Sequence, residues 1–187
     1  MSAPGTAGRR EIVLSLGSNL GDRLANLQLG VDLLTGDGLD DVEVSSVYQT
    51  APVGGPDQDD YLNAVLITQS ALPAPDILRR AAAAEAAAGR VRTIRWGPRT
   101  LDVDIITSGD ERSSDPALTL PHPRARERAF VLAPWLELRA DARLPGSGPV
   151  TDLLAAAVLA VGGTAGVQRR PELRLTVPGQ DGAAPCE

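Results

Sequence analysis

The sequence predicts an α+β fold, and three observations carry that prediction. Apolar residues alternate with a period of two over 11–17, 41–50, 61–70 and 100–109. They recur at helical spacing over 18–36 and 73–90. The segments follow one another as strand, helix, strand, strand, helix, strand, the split βαβ order of a ferredoxin-like βαββαβ core, with additional short C-terminal elements.

The first strand, EIVLSLG, places Ile12, Leu14 and Leu16 on one face. SNLGDRLANLQLGVDLLTG follows as a helix, with Leu24, Leu27, Val31 and Leu34 in register and Gly36 to stop it. DVEVSSVYQT reads as one second strand, APVGGPDQDD as a loop dense in Pro, Gly and Asp, and YLNAVLITQS as the third strand. PAPDILRRAAAAEAAAGR is a helix opened by prolines and closed by Gly89. TLDVDIITSG is the fourth strand. Beyond Asp110 come short pieces: LTLPHP, a turn of helix near PRARER, the apolar FVLAPWLEL and a helix at PVTDLLAAAVLA. One domain is expected over 10–161, followed by a partly disordered extension over 162–187.

A chain of 187 residues, 43% of them hydrophobic, can bury one core. No apolar run reaches transmembrane length, and MSAPGTAGRR lacks the apolar middle of a signal peptide, so a cytoplasmic protein is expected. A net charge of −6 argues against broad binding to nucleic acid or to anionic membrane. Cys186 is the single cysteine and has no internal disulfide partner. All 18 basic residues are arginine. No lysine is present to form a Schiff base, and any side-chain cation gripping phosphate must be a guanidinium, whose planar fork takes two oxygens at once.

Those arginines are not spread evenly. Arg90, Arg92, Arg95 and Arg99 fall in a segment with no acid between Ala86 and Leu101 and no regular period, which reads as a loop. A bound polyphosphate would relieve the repulsion among them. No G-x-x-x-x-G-K-[ST] is present, so a P-loop does not hold that phosphate. Asp102 and Asp104 then arrive two apart on a strand, sharing one face, with Leu101, Val103 and Ile105 on the other. Two close carboxylates favour a cation between them, and Mg2+ commonly takes one or two carboxylates plus substrate phosphates. A D-x-D alone fits a solvated sheet edge equally well. Only five residues are aromatic. Tyr61 shares a strand face with Asn63, a pair able to stack on a flat heterocycle and bond its edge, or simply to pack at a sheet margin. His122, the only histidine, is fixed between two prolines.

Together these segments resemble the 6-hydroxymethyl-7,8-dihydropterin pyrophosphokinase family. The resemblance runs from about Glu11 to Trp135 and is carried by LSLGSNLGD, SSVYQTAPVG, YLNAV, GRVR, RWGPRTLDVDI and LPHPRARERAF in order. It implies transfer of pyrophosphate from ATP to the hydroxymethyl group of the dihydropterin, with AMP as the second product. It implies that Asp102 and Asp104 hold two Mg2+ ions and work with Arg90 and Arg99 in catalysis. Glu85, Arg92, Trp96, Ile105, Thr119, His122 and Arg128 would bind ATP. Tyr61 and Phe130 would sandwich the pterin, whose polar edge Asn63 and the backbone near Thr50 and Val53 would read. The expected working unit is a monomer with these two small substrates, the arginine loop over 89–98 ordering when both are bound. The chain departs from the family pattern at Ala82, often glutamine, and at Ala51, often proline. Competing readings are a non-catalytic ferredoxin-like nucleotide- or RNA-binding module, for which an aromatic-rich strand signature is missing, and a D-x-D glycosyltransferase, for which the chain is short.

Overall fold

A computed structural model describes residues 8–52, 58–90, 97–160 and 166–179. Strand β1 (Arg10–Ser18) leads into helix α1 (Arg23–Leu33), then β2 (Asp40–Val44), β3 (Tyr48–Thr50), β4 (Tyr61–Ser70), α2 (Ala74–Ala87) and β5 (Asp102–Ser108). A small hairpin, β6 (Ser113–Asp115) and β7 (Leu118–Leu120), and a 3-10 turn over Ala125–Glu127 precede α3 (Ala129–Leu138). The two-residue strands β8 (Arg143–Leu144) and β9 (Gly148–Pro149), helix α4 (Val150–Ala160) and β10 (Val167–Arg169) complete the order.

The sheet is antiparallel. β4 and β5 flank β1, while β2 and β3 pair with successive lengths of the far edge of β4. This is the ferredoxin-like arrangement expected from the element order. Ile12, Leu14 and Leu16 of β1, with Leu62 and Leu66 of β4, face Leu27 and Val31 of α1 and Ile77, Ala81 and Ala84 of α2. α1 comes close because Gly30 has no side chain: a Cβ there would sit 3.0 Å from Leu16 and 3.2 Å from Leu101.

The other face has its own apolar core. Val13, Val65, Ile67 and Ile106 pack beneath Val131, Leu132 and Trp135 of α3 and Val150 and Ala157 of α4. The short C-terminal pieces are therefore a second helical layer. Strand β5 serves both cores by plain alternation, Ile105 facing the first and Ile106 the second, and carries a register shift opposite Val13 and Leu14. The extra residue lies between Ile105, opposite Leu14, and Thr107, opposite Val13.

Three expectations change. The first helix starts at Arg23, not at Ser18, because Ser18 still pairs with Leu62 and Asp22 caps the helix by accepting from the Ala25 N–H at 3.1 Å. The single strand expected over 41–50 is two strands. At the break, the Ser45 hydroxyl accepts the Val65 N–H at 3.0 Å, taking a place a backbone carbonyl would fill. Residues 167–169 of the expected C-terminal extension form a sheet strand, β10, against β3.

Candidate active site

Along β1, β4 and β5, the sheet face that carries the second core changes character. Ser15 and Gly17 follow Val13, Asn63 and Tyr61 precede Val65, and Asp104 and Asp102 precede Ile106. Strand register lines these up across the sheet: Tyr48 beside Asn63, Asn63 beside Gly17, Gly17 beside Asp102. With strands about 4.8 Å apart, roughly 10 Å of floor separates Asn63 from Asp102. Gly17 leaves that floor bare. A Cβ there would come 3.3 Å from Asn63 Oδ1 and 3.8 Å from the Tyr61 ring.

At one end of the row Asn63 is buried and fixed. Its amide donates to Thr50 Oγ1 at 2.9 Å and to the Tyr48 carbonyl at 3.4 Å. Tyr61 is half-buried beside it, and burial pushes its phenol above the ordinary range, with Arg99, Asp102 and Arg90 close enough to act on it electrostatically. Phe130, in the first turn of α3, lies under the Arg128 guanidinium, 5.6 Å from its ring centre.

At the other end the two aspartates sit among cations. Arg90 Nη1 is 2.7 Å from Asp102 Oδ1, and Arg99 donates to Asp102 Oδ2. Arg128 donates to Asp104 Oδ2 at 2.7 Å, with His122 Nε2 3.7 Å from the same oxygen. Burial tends to lower the Arg99 pKa, but Asp102 outweighs it and holds the guanidinium above its ordinary value. His122 is positioned through its backbone: its N–H donates to the Ile106 carbonyl at 2.9 Å, while Nδ1 accepts from the Arg124 N–H at 3.2 Å. Its pKa is lowered, first by burial, with Asp104 opposing. A neutral ring accepting at Nδ1 carries its proton on Nε2, toward Asp104.

These pairs correct one expectation. The arginine segment is not without acids: Glu85 stands just before it and Asp102 just after it. Glu85 is buried on the core side of α2, accepts the Val103 N–H at 2.9 Å, and also accepts from Arg90. One carboxylate thus ties α2, β5 and Arg90 together. Arg92, Arg95, Trp96 and Val53 lie outside the described residues, as does most of the 89–98 loop. Ile105 turns its side chain into the first core, leaving only its backbone for a ligand. Thr119 sits apart on β7, its hydroxyl donating to the Asp115 carbonyl at 3.1 Å.

Asn19, which the sequence pattern did not single out, borders this site. It is 1% exposed. Its Oδ1 accepts the Arg99 N–H at 2.8 Å, its own N–H donates to the Arg99 carbonyl at 3.1 Å, and its amide donates to Gln58 Oε1 at 2.9 Å. It joins the end of the arginine segment to the residues before β4. The available signal was Ser-Asn directly after a strand, a pair that commonly bonds local backbone.

Among the described residues no three acidic, histidine or cysteine side chains group into a metal cage. Two part-exposed carboxylates fit a hard divalent cation whose remaining ligands come from substrate oxygens and water.

The fold and this open end define a ferredoxin-like α+β protein with an arginine-lined carboxylate site. The chain belongs to the 7,8-dihydro-6-hydroxymethylpterin-pyrophosphokinase (HPPK) family, whose profile matches residues 13–140. It is 50% identical over 157 residues to the 2-amino-4-hydroxy-6-hydroxymethyldihydropteridine pyrophosphokinase of Mycobacterium tuberculosis, across 77% of this chain and 82% of that one. It is 52% identical to the Mycobacterium leprae protein of the same name over 148 residues, 73% and 76% of the two chains. Its fold is similar to that of a Plasmodium falciparum HPPK-DHPS variant solved with SDX-DHP, at a TM-score of 0.68 and 12% identity. That match covers 88% of this chain and 49% of the longer HPPK-DHPS chain.

Proposed function

We infer that this chain transfers diphosphate from ATP to the hydroxymethyl group of 6-hydroxymethyl-7,8-dihydropterin, giving AMP and the pterin diphosphate for folate biosynthesis. Family membership supports the reaction. The observation that carries the assignment of parts is the register row Tyr48, Asn63, Gly17, Asp102. It sets a buried amide and an aromatic ring at one end and carboxylates among arginines at the other.

On this reading Tyr61 and Phe130 stack on the pterin, Asn63 reads its polar edge, and the backbone near Thr50 and Val53 contributes further contacts. The bare surface of Gly17 lets the flat ring lie close to the sheet. Asp102 and Asp104 hold Mg2+, with two ions expected. When bound, such ions neutralise the triphosphate and align attacking and leaving oxygens. Diphosphate transfer needs positioning and charge neutralisation more than covalent help. Arg90 and Arg99 would supply both: each rests on Asp102 and can exchange this carboxylate for phosphate oxygens as the nucleotide arrives. Arg92, Arg128 and His122 grip the remaining phosphate charge, and His122, neutral near pH 7, donates from Nε2. Glu85 keeps Arg90 aimed at the site from below. Trp96, Thr119 and the Ile105 backbone complete the nucleotide side.

Both sets of residues come from one chain, which supports a monomeric working unit. The ATP substrate supports a cytoplasmic setting, and no described helix is long and apolar enough to cross a membrane. Calorimetry tests the reading: a non-hydrolysable ATP analogue with Mg2+ binds first, and the dihydropterin then binds the loaded protein. With ATP itself, AMP and the pterin diphosphate form in equal amounts. Release of ADP, or turnover that does not require the dihydropterin, would overturn it.

A further inference from the structure

Strand β3 is three residues long, yet it carries Thr50, which anchors Asn63, and Tyr48, which sits beside Asn63. A strand so short has few ladder bonds of its own. It lies between β4 and β10, paired to the latter as Val167 with Thr50, Gln168 with Gln49 and Arg169 with Tyr48. The segment carrying β10 begins beyond residue 140, where the family match ends.

Side chains extend the hold. The Arg170 N–H donates to the Val47 carbonyl at 2.8 Å, and its guanidinium donates to Gln49 Oε1. The Gln49 amide donates onward to Asp60 Oδ2 at 2.7 Å. Asp60 directly precedes Tyr61, and its carbonyl accepts from Arg23 of α1 at 2.7 Å. On the opposite face Arg169 donates to Ser46 Oγ and Glu137, and Glu137 accepts from the Tyr48 hydroxyl. Downstream, Thr176 exchanges two bonds with the Gln28 side chain, at 2.9 and 2.8 Å, and Val177 is buried in the first core. Residues 166–179 thus run from the sheet edge to α1.

We propose that this C-terminal segment is a positioning element for the pterin pocket, with Arg170 as its positioning residue, acting through Gln49 and Asp60 on the strand ends that carry Thr50 and Tyr61. The proposal rests on the pterin-side reading given above. Arg170 touches no substrate. It fixes the spacing between β3 and the start of β4, which sets where Tyr61 and the Asn63–Thr50 pair meet the ring. The aspartates and Arg90, on β5 and after α2, lie on the far side of β1 from β3 and β10.

The experiment uses the full chain and steady-state kinetics in both substrates. Arg170→Ala raises the KM for the dihydropterin about tenfold, the scale of one lost charge-assisted hydrogen bond. It leaves kcat within about twofold and the Kd of the Mg-ATP analogue unchanged. Gln49→Ala has the same effect. Combining the two adds little further, because both break one chain of contacts. Arg170→Lys, which keeps a donor for Gln49, recovers part of the loss. Unchanged pterin KM in Arg170→Ala, additive effects in the double variant, or equal weakening of both substrates would each overturn the proposal, the last by marking a general loss of folding. Tyr61→Ala separates the two levels. If its pterin KM is also normal, the pocket assignment itself fails; if it is raised while Arg170→Ala is silent, only the positioning role fails.

Discussion

The two ends of one sheet face make the most instructive comparison in the molecule. At one end Val13, Val65, Ile67 and Ile106 lie under α3 and α4. At the other, a few residues along the same strands, the polar Ser15, Asn63, Asp104 and Asp102 and the bare Gly17 lie outside that apolar cluster. The strands themselves are continuous across the change. A rigid, buried length therefore holds each polar side chain at its root, and the site needs no scaffold of its own. The difference predicts that damage at the two ends will show in different measurements: chemistry at the polar end, stability at the apolar end.

The sharpest test is at the polar end. Asp102→Asn or Asp104→Asn should lower kcat by at least about 10²–10³-fold, the scale of one lost electrostatic contact in a transition state. Both side chains are part-exposed, so the melting temperature should change little. A variant that melts normally and turns over normally would remove that residue from the proposed metal site. The complementary change is Ile67→Ala, fully inside the apolar end. It should cost about 2–4 kcal/mol of stability through lost burial and a residual cavity. Per folded molecule, kcat should hold within about threefold, since Ile67 lies on β4 beyond Val65 and away from the row. Urea unfolding and activity on one sample decide it; a kcat loss matching the aspartate variants would mean the two ends are not separable.

How much of this contrast could be read in advance depended on whether the signal was local. The period of β4 is unbroken, and its bounds, Tyr61–Ser70, match the segment read from the sequence. Asp102 and Asp104 were legible as a shared face because strand geometry alone places them. The β2–β3 break was not legible, because it depends on a Ser45 hydroxyl reaching a β4 amide, a contact between residues 20 apart. The arginines' acids were missed for the same reason. Glu85 sits on a helix whose apolar face marks it as core, and only tertiary packing turns it toward Arg90. The β5 bulge, too, was not legible, because it exists only in the pairing of β5 with β1.

The aromatic pair tests a middle position, between the row and the second helical layer. Tyr61→Ala and Phe130→Ala should each weaken dihydropterin binding by about 1–3 kcal/mol, by analogy with a base stacked on an aromatic side chain. The Mg-ATP analogue should bind within about threefold of normal. Phe130 also packs against the second core and lies beneath Arg128. Phe130→Ala should therefore lower the melting temperature as well, and Tyr61→Ala should do so less. If nucleotide affinity falls as far as pterin affinity in both, the two rings support the fold rather than the ligand.

The smallest expected effect lies at the margin where α3 meets β3. The Tyr48 hydroxyl donates to Glu137 at 2.9 Å, and burial, reinforced by that carboxylate, pushes the phenol up to about 12. An unfolded chain releases the same proton near pH 10. Below pH 10 both states keep it, and the hydrogen bond stabilises the fold in full. Between about 10 and 12 the unfolded state has lost its proton while the folded state still holds it, so rising pH favours unfolding. That share of stability is gone once pH passes the folded-state value. Tyr61 is raised as well, again mainly by burial, so the wild-type curve contains both phenols. Tyr48→Phe isolates one of them. Urea midpoints measured from about pH 9 to 11.5 should fall less steeply in Tyr48→Phe than in wild type, and at about pH 8 the variant should be slightly the less stable of the two. Parallel curves would show that Tyr48 does not hold its proton against Glu137, and that β3 meets α3 without that hydrogen bond.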